Sequence, residues 1–214
     1  MLTVKKKLLL VRHGKTDWNA EVRFQGSTDI PLNDYGYQQA LKTAARIKNW
    51  RGVPIYSSPL KRAMQTAEAI SAGTPVIPLD GLTEINFGVW EGARVSDVRK
   101  KDQKALDEWH RDGFFSIPEK GETWEQIYER VSKAVDVCLG REEERIIIVA
   151  HGGILRAIMI NLIKLDPHSA WRLAVYNCSL SGIDICCGVN NLVFLNDTLH
   201  LTVESGLNDV PFYY

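Results

Sequence analysis

The chain of 214 residues lacks three features that would point to particular protein classes. It has no long apolar run near its start: within "MLTVKKKLLLVRHGK" the run is only "LLLV" and stops at Arg12. A secretory segment needs roughly 7–15 apolar residues and a membrane helix about 20. Neither is expected, and the stretch reads as a basic leader before a first strand. The chain also lacks an excess of charge, with 26 Lys and Arg against 26 Asp and Glu. A broad basic surface for nucleic acid is therefore not expected, although a local basic pocket remains open. Cysteine is scarce as well. Cys138, Cys178, Cys186 and Cys187 form no CxxC pair, so free thiols in a reducing cytoplasm are preferred to disulfides or zinc. No repeat, low-complexity tract or long linker interrupts the sequence. Its length suits one compact α/β domain over residues 1–214.

What is present alternates between strand and helix patterns. The first strand is expected at 7–12. A helix follows at about 34–49, capped by Asn33, with Tyr37, Ala40, Leu41, Ala44 and Ile47 on one face. "VPIYS" is a second strand. "SPLKRAMQTAEAIS" is a second helix, with Ser58 as cap and Pro59 in the first turn. "PVIPLD" is a third strand, and residues 94–113 are polar and helical. After the loop "FFSIPEKGE", Thr123 and Gln126 have capping-box spacing for a helix at 123–139. "RIIIVA" is a further strand, followed by a helix at about 154–164. Two last strands meet at "GVNN", a hairpin turn. The pattern predicts a three-layer α/β/α sandwich around a mostly parallel sheet, with the hairpin at one edge.

Two strands end alike. "LLLVRHG" and "IIIVAHG" each deliver a histidine and a glycine at the carboxyl end of an apolar strand. Open α/β sheets bind ligands along that edge, so His13 and His151 are expected to share one crevice. One His-Gly alone is more often an ordinary loop histidine; a pair in matched strand-end settings weakens that reading. A metal site is a poor fit, because no third ligand is apparent and Arg12 would repel a cation. Arg62 lies in the first turns of a helix, where the macrodipole disfavours a cation. Its presence makes sense if arginine and helix amides share an anion. Two guanidiniums and two imidazoles suit a tetrahedral phosphoryl group, and Gly152 and Gly153 open a helix whose amides favour one. An acid is still required. Glu84, in the apolar, glycine-rich "LTEINFGVWEG", is preferred to Glu91, since that setting and a nearby phosphate favour a protonated carboxyl.

These residues resemble the motifs of the histidine phosphatase superfamily, the phosphoglycerate-mutase-like family. "VRHGKTDWN", "YSSPLKRAMQTA", "LTEINFGVWEG", "PEKGETWEQIYERV" and "IVAHGGILRAI" follow in that family's order, over about residues 6–165, and "LVFLNDTLHL" resembles its usual ending. The resemblance implies a nucleophilic His13 that becomes phosphohistidine. It implies a phosphate clamp of Arg12, Arg62 and His151, and Glu84 as proton donor and later base. Asn19 and the Gly152 amide are implied as phosphate contacts, and Gln25 and Gly26 as pocket lining. No metal and no cofactor is implied.

Within the family, mutases carry a longer insertion after the glutamate motif. Here only 28 residues separate "WEG" from "GET", which favours a phosphatase over a cofactor-dependent phosphoglycerate mutase. The motifs resemble those of α-ribazole-phosphate phosphatases of cobalamin synthesis, and equally those of broad-specificity, phosphosugar and phosphoserine phosphatases. Phe24, Phe87, Trp90, Phe114 and Phe115 either wall an apolar pocket for a ring-bearing leaving group or pack in the core. The expected partner is a small-molecule phosphate ester in the cytoplasm, with no nucleic acid and no membrane. The hairpin edge leaves a homodimer open. The contrasting class, a catalytically silent phosphate-binding scaffold, should lack one of His13, Arg62, Glu84 or His151, and all four are present.

Overall fold

The computed structural model describes residues 6–116, 118–186 and 189–201. The basic leader therefore lies largely outside the described residues. Strands are β1 (Lys6–Arg12), β2 (Ile55–Ser57), β3 (Val76–Pro78), β4 (Arg145–Ala150), β5 (Leu180–Cys186) and β6 (Val189–Asp197). They form one sheet in the order β3-β2-β4-β1-β5-β6. β1 to β4 run parallel, and β5 and β6 add an antiparallel hairpin at one edge. Helices are α1 (Asp17–Ala20), α2 (Asp34–Arg46), α3 (Lys61–Ser71), α4 (Val95–Lys101), α5 (Gln103–Asp112), α6 (Trp124–Leu139) and α7 (Gly152–Ile163). None of the described helices is long and apolar enough to cross a membrane.

The apolar runs of β1 and β4 are continuous because both sheet faces are covered. Leu8, Leu10, Tyr56, Ile146 and Ile148 face the layer that holds Ile127, Val131, Ile154 and Ile158 of α6 and α7. Leu9, Val11, Ile55, Ile147 and Val149 face Ala63, Ala67 and Ile70 of α3. The expected three layers are thus present, with the ends of β1 and β4 held between two cores.

Three local expectations need correction, and one open alternative, pocket or core for the aromatic residues, is decided. Tyr37 and Leu41 are exposed, whereas Gly36, Gln39, Ala40 and Thr43 of α2 are buried. The cause is a close backbone crossing: a Cβ on Gly36 would lie 2.0 Å from the Lys15 carbonyl oxygen, and one on Gly14 2.5 Å from that of Gly36. This crossing turns Gln39 inward, where its Oε1 accepts from the Lys15 amide at 3.0 Å. Ser58 does not cap α3. That helix starts at Lys61 after Leu60 without a side-chain cap, while Asp29 Oδ1 accepts from the Lys61 amide at 2.7 Å. Phe24, Phe87, Trp90 and Phe114 are buried in the larger core rather than walling a pocket. They pack edge-on and tilted against one another and against Trp109 and Trp171, and only Phe115 is exposed. Finally, Val189 to Asn191 belong to β6 and pair with β5, so most of "GVNN" is strand rather than turn. Cys138 and Cys178 are buried free thiols, and burial pushes both up to about 12. Cys187 lies outside the described residues.

Candidate active site

β1 and β4 are adjacent and parallel, with Arg12 in register with Ala150. The next residue of each strand is therefore His13 and His151, and their ring centroids lie 5.0 Å apart. Both rings are buried. Desolvation holds both well below the usual histidine range. Arg62 lowers each further, followed by Arg12 for His13 and by His13, Arg12 and Arg130 for His151. Both imidazoles are neutral at pH 7. The hydrogen bonds then set the tautomers. His13 Nδ1 lies 2.7 Å from the Gly14 carbonyl oxygen, which only accepts, so Nδ1 carries the proton and Nε2 keeps its lone pair. His151 Nδ1 accepts from Arg62 Nε at 3.2 Å, so its proton sits on Nε2, 2.7 Å from Ser58 Oγ.

Arg62 is the second residue of α3 and only 1% exposed. Besides His151, it donates from Nη1 to the Thr28 carbonyl and from Nη2 to the Gly26 carbonyl, each at 2.7 Å. Burial lowers it to about 10, so it remains a cation at neutral pH. Arg12 is fixed from behind through Nη1 to the Val175 carbonyl at 2.6 Å. Gly152 begins α7, and a Cβ there would lie 3.7 Å from Arg12 Cζ and 3.1 Å from Arg156 Nη1.

The two candidate carboxylates separate by their partners. Glu91 accepts from the amides of Ser27 and Phe87 and from the hydroxyls of Ser27 and Thr28. It ties down the loop whose carbonyls hold Arg62, and a Cβ on Gly26 (φ +55°) would sit 2.0 Å from its Oε1. Glu84 is held lightly. Its Oε1 accepts from the Ile85 amide at 3.0 Å and its Oε2 from the Gly153 amide at 3.2 Å. Glu84 thus stands at the start of α7, bonded to the amide two residues past His151.

Asn19 and Gln25 belong to the same loop system. Asn19 Oδ1 accepts from the Thr16 amide at 3.1 Å in a capping box, and Gln25 Oε1 lies 2.9 Å from Thr16 Oγ1. Several residues at the site were not singled out from sequence. Asn177 Nδ2 donates to the His13 carbonyl at 3.0 Å and to Asn19 Oδ1 at 3.2 Å. Thr66 Oγ1 accepts from the Gly14 amide at 3.0 Å. Arg156 lies within α7, donates to the carbonyls of Gly152 and Leu173, and sits over the Trp171 ring. A charge inside the otherwise apolar "GILRAIMINLI" was the legible signal for Arg156. Asn177 and Thr66 left none, because each acts through a backbone distant in sequence.

A basic crevice with one open imidazole nitrogen suits attack on a tetrahedral dianion. Among the described residues, no three His, Cys, Asp or Glu side chains gather as metal ligands would. The neutral histidines also predict a stability profile. An unfolded chain takes up protons as pH falls below about 6.5, while the folded site resists them, so folding loses stability on the acid side. The melting temperature should be level above about pH 7 and should fall between about pH 6.5 and 5.5, above the range of ordinary carboxylates. A level melting temperature across that lower window would contradict the neutral assignment.

Comparison with known proteins gives a consistent kinship. A family model described as "Histidine phosphatase superfamily (branch 1)" matches residues 8–198. The "Probable phosphoglycerate mutase GpmB" of Shigella boydii is 36% identical over 188 residues, covering 83% of this chain and 84% of the relative. Among solved structures, a phosphoserine phosphatase variant of Entamoeba histolytica in complex with phosphoserine superposes with a TM-score of 0.81 at 30% identity, covering 92% of this chain and 99% of the other. The α-ribazole phosphatase of Shigella flexneri does so with a TM-score of 0.79 at 28% identity, covering 89% and 96%.

Proposed function

The chain belongs to the histidine phosphatase superfamily, and on that premise we propose that it is a phosphomonoester hydrolase working through a phosphohistidine at His13. The observation that carries the reading is the neutral His13 ring, with Nδ1 held by Gly14 and with Arg12 and Arg62 as its cationic neighbours. In the first step Nε2 attacks phosphorus, and the bond from phosphorus to the ester oxygen breaks. Glu84 gives its proton to the departing oxygen. Arg12, Arg62, His151 and the Gly152 amide take up the charge that spreads over the equatorial oxygens. Asn19 and the Gln25–Gly26 loop complete the phosphate cradle. In the second step Glu84 takes a proton from water, the hydroxide attacks phosphorus, and the N–P bond breaks to release inorganic phosphate and the His13 lone pair. The arginines supply the electrostatic stabilisation that a divalent ion supplies elsewhere.

The substrate is a small phosphorylated metabolite, and α-ribazole 5'-phosphate is the specific candidate. That choice rests on motif wording and on kinship with α-ribazole phosphatases, since the aromatic residues that would favour a ring-bearing leaving group are mostly core. The short spacing between "WEG" and "GET" supports hydrolysis over transfer. The mutase reading is favoured by the name of the Shigella boydii relative.

A phosphate-release screen decides between them. The panel should include α-ribazole phosphate, phosphosugars, phosphoserine, and 3-phosphoglycerate with 2,3-bisphosphoglycerate, each with and without EDTA. Net phosphate release, undiminished by EDTA, is expected from at least one monoester. Fast formation of 2-phosphoglycerate with little free phosphate would replace the hydrolase reading with the mutase one. Loss of activity in EDTA, restored by a divalent ion, would overturn the arginine clamp.

A further inference from the structure

Arg130 stands on the second turn of α6, and its guanidinium spends every N–H on the segment around Glu84. Nε and Nη2 meet Glu122 Oε1 and Oε2 side by side at 2.7 and 2.8 Å. Nη1 donates to the carbonyls of Gly81 at 2.9 Å and Thr83 at 2.6 Å, and Nη2 reaches the carbonyl of Glu84 itself at 3.4 Å. Glu122 then grips the other side. Its Oε2 accepts from the Asn86 amide at 2.9 Å, and its own amide donates to the Asn86 carbonyl at 3.0 Å. One ion pair therefore holds the backbone immediately before and after Glu84. The approach is close, since a Cβ on Gly81 would lie 2.6 Å from the Arg130 carbonyl oxygen.

This pair serves no obvious packing need. Both side chains are only 22% exposed, and a half-buried ion pair contributes little net stability over apolar residues of the same size. The segment it holds is irregular, a 3-10 turn at Asp80–Leu82 followed by loop. The Glu84 carboxylate has only two amide donors of its own, so its position depends on its backbone. We propose that the Arg130–Glu122 pair is a positioning device that holds the Glu84 carboxyl where it meets the leaving oxygen. The inference rests on the reading of Glu84 as proton donor.

The distinguishing property is the leaving group. An alkoxide needs a proton as the bond to phosphorus breaks, whereas p-nitrophenolate departs without one. The test compares kcat/KM for p-nitrophenyl phosphate with that for the best-hydrolysed alkyl ester of the metabolite panel, in Arg130→Lys, Arg130→Gln and Glu122→Gln, with Glu84→Gln as reference. Glu84→Gln should lower the alkyl reaction by about 10²–10⁴-fold and the aryl reaction far less. The Arg130 and Glu122 variants should lower the alkyl reaction by about 10–100-fold and the aryl reaction by less than about threefold, as a small misplacement does. Arg130→Lys should not rescue, because one ammonium cannot supply the planar fork. Equal losses on both esters in these variants, beside a selective Glu84→Gln, would overturn the positioning role and leave Glu84 as the acid. An unselective Glu84→Gln would remove the acid and the inference with it. Should the Arg130 variants fail to melt cooperatively, Glu122→Gln, which keeps its volume, decides the matter alone.

Discussion

Replacing His13 by alanine is expected to abolish hydrolysis of every phosphate ester, p-nitrophenyl phosphate included, by at least about 10⁴-fold in kcat. The loss is total in kind because no other group stands in for the nucleophile. His151 is the nearest imidazole, but its Nδ1 lone pair is committed to Arg62 and its Nε2 carries a proton directed at Ser58. The variant should fold. His13 contributes one hydrogen bond to its neighbour's carbonyl, and the backbone ties of the turn, from the His13 amide to Ala150 and from Asn177 to the His13 carbonyl, do not involve the ring. The cationic cradle survives, so the variant should still bind inorganic phosphate. Full activity in His13→Ala would remove the nucleophile assignment. A cooperative melt beside lost activity would show that the loss is chemical.

Arg62→Lys is expected to lower kcat/KM by about 10²–10³-fold, the range for removing one fixed donor to developing charge, and to weaken inhibition by phosphate. The substitution keeps the charge and loses the fork. A single ammonium, with no fork of separated donors, cannot reach the carbonyls of Gly26 and Thr28 and the His151 ring together. Each buried acceptor left without a donor costs about 1–3 kcal/mol, so the melting temperature should fall as well. The effect has a second route through His151. Without the Arg62 Nε–H, nothing fixes the proton on Nε2, and the ring is free to change tautomer. The pH dependence of kcat/KM should therefore broaden on the acid side. A rate within threefold of the parent would mean that Arg62 is a structural arginine only.

The sequence carried the parts of the site that lie at the ends of apolar strands. "LLLVRHG" and "IIIVAHG" announced two strand ends on one edge of the sheet, and the sheet places the strands side by side with Arg12 opposite Ala150. The mostly parallel sheet and its edge hairpin were legible for the same reason, since each strand is a bounded apolar run. The helix faces were less so. Gly36 and Gln39 of α2 are turned inward by the backbone of Lys15, a contact with no trace in hydrophobic period. Ser58 read as a helix cap because its spacing from Pro59 fits one, yet its hydroxyl meets His151. The aromatic residues read equally well as pocket or core, and the pairing with Trp109 and Trp171 that decides it is long-range. Glu84 and Glu91 could be ranked but not separated from sequence. Their separation came from counting partners, four donors on Glu91 against two backbone amides on Glu84.

The most direct test of covalent catalysis is to trap the intermediate. The enzyme would be mixed with a ³²P-labelled monoester from the metabolite panel, quenched in alkali within the first turnover, and digested for peptide mapping. A label that is stable in base, labile in acid and located on His13, appearing no later than free phosphate, is the expected result. Free phosphate released from the first turnover with no protein-bound label, or a label on another residue, would contradict it.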